Sequence, residues 1–127
     1  IARAAEAAGA DALSLINTLF GMRIDIYRRR PVLAQKMGGF SGPAVKPVAV
    51  RMVYQVHKAV QIPILGMGGI MTGEDAVEFI MAGATAVATG TANLVDPKAP
   101  IRIIEEMRSV MEKMGVDDIN SLRGIIE

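Results

Sequence analysis

Short continuous runs of apolar residues alternate along this chain with longer segments in which apolar residues recur at helical spacing. Three runs are strand candidates: one reaches Ile16, one covers residues 62–66, and one passes through Val87. Continuous rather than alternating apolar runs are expected when both faces of a parallel sheet are covered. The pattern therefore predicts an α/β protein in which parallel strands alternate with helices.

Helix signals fill the segments between and after these runs. Pro47 suits the first turn of a helix, and Thr72 followed by Asp75 approximates a capping box. Gly115 ends another apolar-periodic segment, as glycine commonly does at helix ends. Helices are predicted from residue 47, over 73–81, over 100–114 and over 118–126.

The number of strand and helix units is too small for a closed fold. A barrel of eight such units takes about 250 residues, whereas this chain has 127. Left alone, three parallel strands would expose two sheet edges. We therefore interpret residues 1–127 as one partial domain, the C-terminal part of a (β/α)8 TIM barrel.

Composition narrows the possible functions. Apolar residues make up 51% of the chain and the net charge is +1, which predicts a packed core and no general attraction to nucleic acid. The uncharged segments are too polar to span a bilayer, so we expect no membrane partner and a cytoplasmic location. Because the chain has no cysteine, these residues hold no catalytic thiol and no thiolate metal site, and no metal is predicted.

One long loop, residues 17–43, directly follows the first strand candidate. Loops of this length in compact domains usually carry function or contact partners. The loop contains Arg28, Arg29 and Arg30, which suit either a partner surface or simple solvation. Just beyond the loop, the side chain of Lys46 could face a ligand site or cap a neighbouring carbonyl group.

Glycine-containing turns follow the second and third strand candidates. They are Gly66-Met67-Gly68-Gly69 and Thr89-Gly90-Thr91, the latter leading into a segment, 91–95, of the length of a short extra helix. Such turns let backbone N–H groups approach a phosphate closely, and in barrels this site is built by the loops after strands 7 and 8. We predict a phosphate site here; the alternative is that the glycines only permit tight turns.

Two further segments suit a flat ligand. Asn17 and Thr18 end the first strand with an amide and a hydroxyl, which suit a ring with adjacent carbonyl and N–H groups, or simply an Asx-type turn. The glycine-rich segment 38–47 suits a close approach of the backbone to a ligand, or flexible turn chemistry.

Taken in order, these motifs resemble the C-terminal part of class 1B dihydroorotate dehydrogenase, the catalytic subunit of the NAD-linked type. The resemblance runs over essentially the whole chain. It is carried by Asn17-Thr18-Leu19, Gly38-Gly39-x-Ser41-Gly42-Pro43-Ala44-x-Lys46-Pro47, Ile62-Pro63-Ile64-x-Gly66-x-Gly68-Gly69, Ala82-Gly83-Ala84-x-Ala86-Val87 and Gly90-Thr91-Ala92-Asn93.

The resemblance implies an FMN-dependent barrel that oxidises dihydroorotate to orotate in pyrimidine biosynthesis. Carried over position by position, the substrate-binding residues would be Asn17 and Thr18. The cofactor-binding residues would be Ile16, Gly42, Gly68, Gly69, Gly90 and Thr91.

The resemblance also implies components that this chain lacks. The base of the family is a cysteine in the N-terminal half of the barrel, so no catalytic residue is assigned here and the chain alone is expected to be inactive. The implied partners are that missing half and an electron-transfer subunit carrying FAD and an iron–sulfur cluster, in a homo-oligomer or heterotetramer. The alternatives are the pyrimidine-binding barrel of dihydropyrimidine dehydrogenase and a phosphate-binding half-barrel without catalytic activity.

Overall fold

A computed structural model describes residues 1–126 of the chain. Its helices and strands are, in chain order, α1 (Ala2–Ala7), β1 (Leu13–Leu15), β2 (Leu19–Met22), β3 (Ile24–Asp25), β4 (Arg30–Pro31), β5 (Met37–Phe40), α2 (Lys46–His57), β6 (Ile64–Met67), α3 (Gly73–Met81), β7 (Ala86–Ala88), α4 (Thr91–Val95) and α5 (Ala99–Met114).

Three parallel strands form the main sheet, in the order β1–β6–β7. Leu13 lies opposite Ile64, and Leu65 lies opposite Ala86. The central strand begins two residues later than predicted, after Pro63, whose carbonyl accepts the N–H of Leu13 at 2.9 Å. The predicted alternation of parallel strands with helices is confirmed.

The helix boundaries follow local hydrogen bonding. Thr72 and Asp75 form the predicted capping box, and α3 covers the predicted residues. The last helix was predicted over 118–126, which is wrong: only a 3-10 turn, Ile119–Leu122, forms there. Asp118 accepts the N–H of Asn120 at its start, and Gly124 at φ +67° follows it.

The segment predicted as one long loop, residues 17–43, contains regular structure, so that prediction is corrected. β2 pairs with β5, and β3 pairs with β4, both antiparallel. These strands are only two to four residues long, and Gly21, Gly38 and Gly39 interrupt any apolar alternation. Strands within residues 17–43 were therefore not predictable from the hydrophobic pattern.

The core lies between the main sheet and the helices packed on it. Phe79 of α3 is fully buried, and a Cβ at Gly66 would lie 2.7 Å from its ring. The missing side chain at Gly66 therefore lets α3 pack directly on β6. Other buried members of the core include Val53, Ile64, Ile70, Val77, Ile80 and Ile103.

Two surfaces of the chain remain apolar and exposed. The first is on residues 19–40, which run from β2 to β5 and are called the β2–β5 excursion below. Phe20 and Tyr27 there are 87% and 92% exposed. On α4 and α5, Leu94 and Ile101 are exposed as well. Within residues 1–126, β1 and β7 each pair with β6 only, and no helix is both long and apolar enough to cross a bilayer.

Candidate functional site

The candidate site lies at the carboxyl edge of the main sheet. Because β1, β6 and β7 are parallel, the residues that follow them emerge at the same edge. Ile16 follows β1, Gly68 and Gly69 follow β6, and Gly90 precedes α4 after β7. The tertiary structure thus gathers the predicted cofactor-binding residues of three separate segments.

The segment around Gly42 lies between the two glycine turns. The hydroxyl of Thr91 donates to the Ser41 hydroxyl at 3.0 Å, and a Cβ at Gly42 would lie 3.5 Å from Cγ2 of Thr91. On its other side, the carbonyl oxygen of Gly42 would lie 2.7 Å from a Cβ at Gly69. Gly42 therefore lies in contact with both turns.

The glycines of the turn after β6 have different physical roles. Gly68 has φ +128°, and a Cβ there would lie 2.9 Å from the Cβ of Ala49. Gly69 has φ +85°, and a Cβ there would meet backbone atoms of Gly42 and Lys46. Both the backbone angles and the close contacts disfavour a side chain, so the turn consists of bare backbone at both positions.

Backbone N–H groups of the two turns lie at this surface. Among the described backbone hydrogen bonds outside the helices and strand ladders, none is donated by the N–H of Gly68, Gly69 or Gly90. Thr91 is the first residue of α4, where an N–H has no partner within the helix. Backbone N–H donors from two neighbouring turns suit an anion.

The residues after β1 lie beside this surface. Ile16 is 7% exposed, and its side chain packs against the backbone of Gly68. Asn17 Oδ1 accepts the N–H of Thr18 at 2.8 Å, so the Asx-type turn that we considered is present. Among the described hydrogen bonds, none uses the Asn17 Nδ2 group, which remains able to donate to a ligand.

Thr18 also shapes the excursion. Its side chain fills the space in front of Gly39, where a Cβ would lie 2.8 Å from that of Thr18. The glycine of β5 therefore lets Thr18 lie flat on the hairpin.

The side chain of Lys46 forms ion pairs within the protein. This arrangement differs from both predicted roles, which were to face the site or to cap a carbonyl group. Its Nζ lies 2.7 Å from Asp75 Oδ1 and 2.7 Å from Glu78 Oε2. Hydrogen bonds to Asp75 and Glu78 raise the pKa of Lys46 above its ordinary value. Both partners belong to α3, so the lysine links the start of α2 to α3.

Asp75 accepts several hydrogen bonds at once. Burial alone would raise its pKa, but the hydrogen bonds from Lys46 and from the N–H groups of Met71 and Thr72 outweigh it and hold the pKa below its usual range. Glu106 of α5 also accepts a hydrogen bond at the start of α3, because its Oε2 lies 2.7 Å from the N of Gly73. This hydrogen bond and the one from the Arg102 guanidinium hold the pKa of Glu106 below its usual value. The start of α3 is thus held from two sides.

The three consecutive arginines belong to the β3–β4 hairpin. Arg28 forms a 3.7 Å ion pair with Asp25 within its own hairpin, and Arg29 and Arg30 are exposed beside it. Residues 1–126 contain no cluster of three or more potential metal ligands.

A family model described as dihydroorotate dehydrogenase matches residues 1–111. The chain belongs to the dihydroorotate dehydrogenase family. A crystal structure of a dihydroorotate dehydrogenase from Eimeria tenella, in complex with ferulenol, superposes with a TM-score of 0.81 at 29% identity. The superposition covers 98% of this chain and 33% of the Eimeria tenella chain. This match confirms the predicted fold class, part of a (β/α)8 barrel.

Bacterial members of the family are more similar in sequence. The NAD(+)-type dihydroorotate dehydrogenase B catalytic subunit of Alkaliphilus metalliredigens is 64% identical over 98% of this chain. The fumarate-type dihydroorotate dehydrogenase A of Lactobacillus helveticus is 56% identical over all of it. In both cases the chain spans 41% of the relative's length.

Sequence reasoning missed two connecting contacts, the Ser41–Thr91 hydrogen bond and the Lys46–Asp75 ion pair. Each joins residues that lie 29 or more positions apart. The sequence offered one indication of these contacts: Ser41, Lys46, Asp75 and Thr91 all belong to motifs that were selected for other reasons.

Proposed function

We propose that this chain is the C-terminal part of an FMN-dependent dihydroorotate dehydrogenase of the NAD-linked type. The observation that carries the proposal is that the two glycine-containing turns meet around Gly42, which brings the backbone N–H groups of Gly68, Gly69, Gly90 and Thr91 to one region. These donors fit a phosphate dianion, and bare backbone lets it approach closely. The flavin ring would extend from there toward Gly42 and Ile16.

The substrate would bind beside the ring, at the end of β1. The free Nδ2 group of Asn17 would donate to a carbonyl of dihydroorotate or orotate, and Thr18 would add a hydroxyl contact. When bound, FMN supplies a hydride acceptor. The residues of this chain bind and orient both molecules, whereas the proton-abstracting cysteine belongs to the remaining part of the barrel.

The remaining strands are proposed to come from an N-terminal half that closes the barrel against β1 and β7. Electrons would leave through a separate subunit that carries FAD and an iron–sulfur cluster, because the catalytic subunits similar to this chain are named for NAD(+). The activity would belong to pyrimidine biosynthesis in the cytoplasm.

The proposal can be tested in a complete enzyme, here defined as this chain joined to the residues of the Alkaliphilus metalliredigens relative that it does not cover. We expect the complete enzyme to bind FMN more tightly than riboflavin, which lacks the phosphate, and to show bleaching of the flavin by dihydroorotate. Equal affinity for the two flavins would contradict the phosphate site.

The electron acceptor is tested separately, because the fumarate-type relative is also similar. With the electron-transfer subunit of the NAD-linked relative added, we expect dihydroorotate-dependent reduction of NAD(+). Turnover with fumarate and none with NAD(+) would assign the chain to the fumarate type instead.

A further inference from the structure

Lys46 touches the turn after β6 with its backbone. It is the first residue of α2 and follows the Gly42 segment directly. A Cβ at Gly69 would lie 2.9 Å from both the N and the Cβ of Lys46. The start of α2 is therefore packed against Gly69, a residue of the proposed phosphate site.

The side chain of Lys46 reaches the same turn by a second route. Its Nζ lies 2.7 Å from Asp75 Oδ1, while Asp75 Oδ2 accepts the N–H groups of Met71 at 2.9 Å and Thr72 at 3.0 Å. These residues follow Gly69 and Ile70 directly. The carboxylate thus connects the ammonium group to the C-terminal end of the turn.

The ion pair is partly shielded from water. The side chains of Lys46 and Asp75 are 29% and 16% exposed, and Glu78 provides a second carboxylate at 2.7 Å. A lysine between two carboxylates has its charge matched by its own neighbours. It is therefore suited to hold two segments together and not to neutralise a ligand phosphate.

We propose that Lys46 is a positioning residue for FMN: through Asp75 it holds the Gly42 segment against the turn at Gly68 and Gly69, so that the phosphate-binding N–H groups are in place before the cofactor binds. The inference rests on the proposed function and adds a residue to it. A site whose supporting residues are loose binds more weakly even when every direct contact is present.

The test measures FMN affinity of the deflavinated complete enzyme by quenching of flavin fluorescence. Lys46→Met should weaken FMN binding by about tenfold, the lower end of the loss known for residues that orient the ligands of metal ions. Lys46→Arg should recover most of the affinity, because a guanidinium can also bridge two carboxylates. Arg51→Met is the matched control, since Arg51 lies on the same helix and its one side-chain hydrogen bond within residues 1–126 is to Gln55.

Asp75→Asn separates positioning from direct charge neutralisation. If Lys46 positions the turn, Asp75→Asn should weaken FMN binding as Lys46→Met does, and the double variant should be no weaker than either single one. If Lys46 served as a cation for the phosphate, Asp75→Asn would free it and tighten binding. That second result would overturn the inference.

The remaining control is a variant that lowers the stability of the protein without changing a residue near the proposed site. Val60 is buried at the opposite end of the sheet, before β6, so Val60→Ala should lower the urea midpoint and leave FMN affinity unchanged. If Val60→Ala weakens FMN binding as much as Lys46→Met, or if Lys46→Met binds FMN normally, the positioning role is wrong. Failure of the unmodified complete enzyme to bind FMN would instead refute the proposed function.

Discussion

The carbonyl oxygen of Gly42 occupies space that a side chain at Gly69 would need, 2.7 Å from an added Cβ. These residues come from different parts of the chain, one after the β2–β5 excursion and one after β6. Their contact brings the proposed flavin-contacting segment and the proposed phosphate-binding turn into one surface. A small change at either glycine is therefore a direct test of that surface.

Gly69→Ala in the complete enzyme should greatly reduce bound FMN, because the new methyl group would displace the Gly42 or Lys46 backbone. Gly9→Ala is the matched control: Gly9 has a similar φ, +92° against +85°, but nothing lies within 4 Å of its added Cβ. Both variants therefore acquire comparable backbone strain. Flavin absorbance per protein should fall only for Gly69→Ala; equal flavin content in both would contradict the site.

Asn17→Ala should weaken orotate binding and leave FMN content near normal, because Asn17 follows β1 and lies outside the glycine turns. Each lost hydrogen bond costs about 0.5–1.5 kcal/mol, which corresponds to about 2- to 12-fold in affinity. Titration of the flavin spectrum with orotate measures the change. Loss of FMN with unchanged orotate affinity would reverse the assignment of Asn17.

Gly83→Ala should destabilise the protein more than Gly9→Ala, although both glycines occur in Ala-Gly-Ala segments. Both have positive φ, and the associated strain is about 1–3 kcal/mol. Only Gly83 faces a neighbour: its added Cβ would lie 2.5 Å from the Cβ of His57, and such overpacking costs about 1–3 kcal/mol more. Urea unfolding of the complete enzyme compares the two, and equal midpoints would show that His57 moves away freely.

Acid should weaken the fold through Asp75. Its pKa in the folded protein is lowered, so its contribution to stability is complete above the unfolded value of about 3.9 and disappears as pH falls through the folded value. Asp75→Asn should therefore lower stability at neutral pH and show less further loss between about pH 5 and 3. Urea midpoints across this range measure the difference; parallel pH curves for both proteins would contradict the role of the carboxylate.

The 127-residue chain alone should not oxidise dihydroorotate. A general base contributes about 10²–10⁴ in rate, and the cysteine that we propose as the base has no counterpart in this sequence, which contains no cysteine. His57 cannot replace it, because its ring is packed against Gly83 and Gly124 at the far end of α2. Dihydroorotate-dependent bleaching of FMN by the purified chain would contradict this prediction.

The same chain should also associate with itself, because β1 and β7 have unpaired edges within residues 1–126 and Phe20 and Tyr27 are exposed. Light scattering during gel filtration would measure the mass, and addition of the N-terminal half should restore both a defined assembly and flavin retention.

The sequence determined those features that depend on neighbours along the chain. The capping box of Thr72 and Asp75, the length of α3 and the end of α5 at Gly115 follow from hydrogen bonds and backbone angles within one turn of helix. The parallel arrangement followed from continuous apolar runs, since burial on both faces leaves no polar alternation. The turn at Gly68 and Gly69 was recognisable because few residues other than glycine combine such backbone angles with close contacts.

Only the tertiary structure decided how these local features meet. Gly69 and Thr91 lie near each other because the parallel strands β6 and β7 bring their carboxyl ends to the same edge. Gly42 reaches the same place through its contacts with both residues. The Lys46–Asp75 pair depends on how α2 packs beside α3, and no local propensity specifies the partner of a lysine. The short strands of the excursion were invisible in the sequence for the same reason: two to four residues carry no period, and their pairing is fixed by contacts between distant segments.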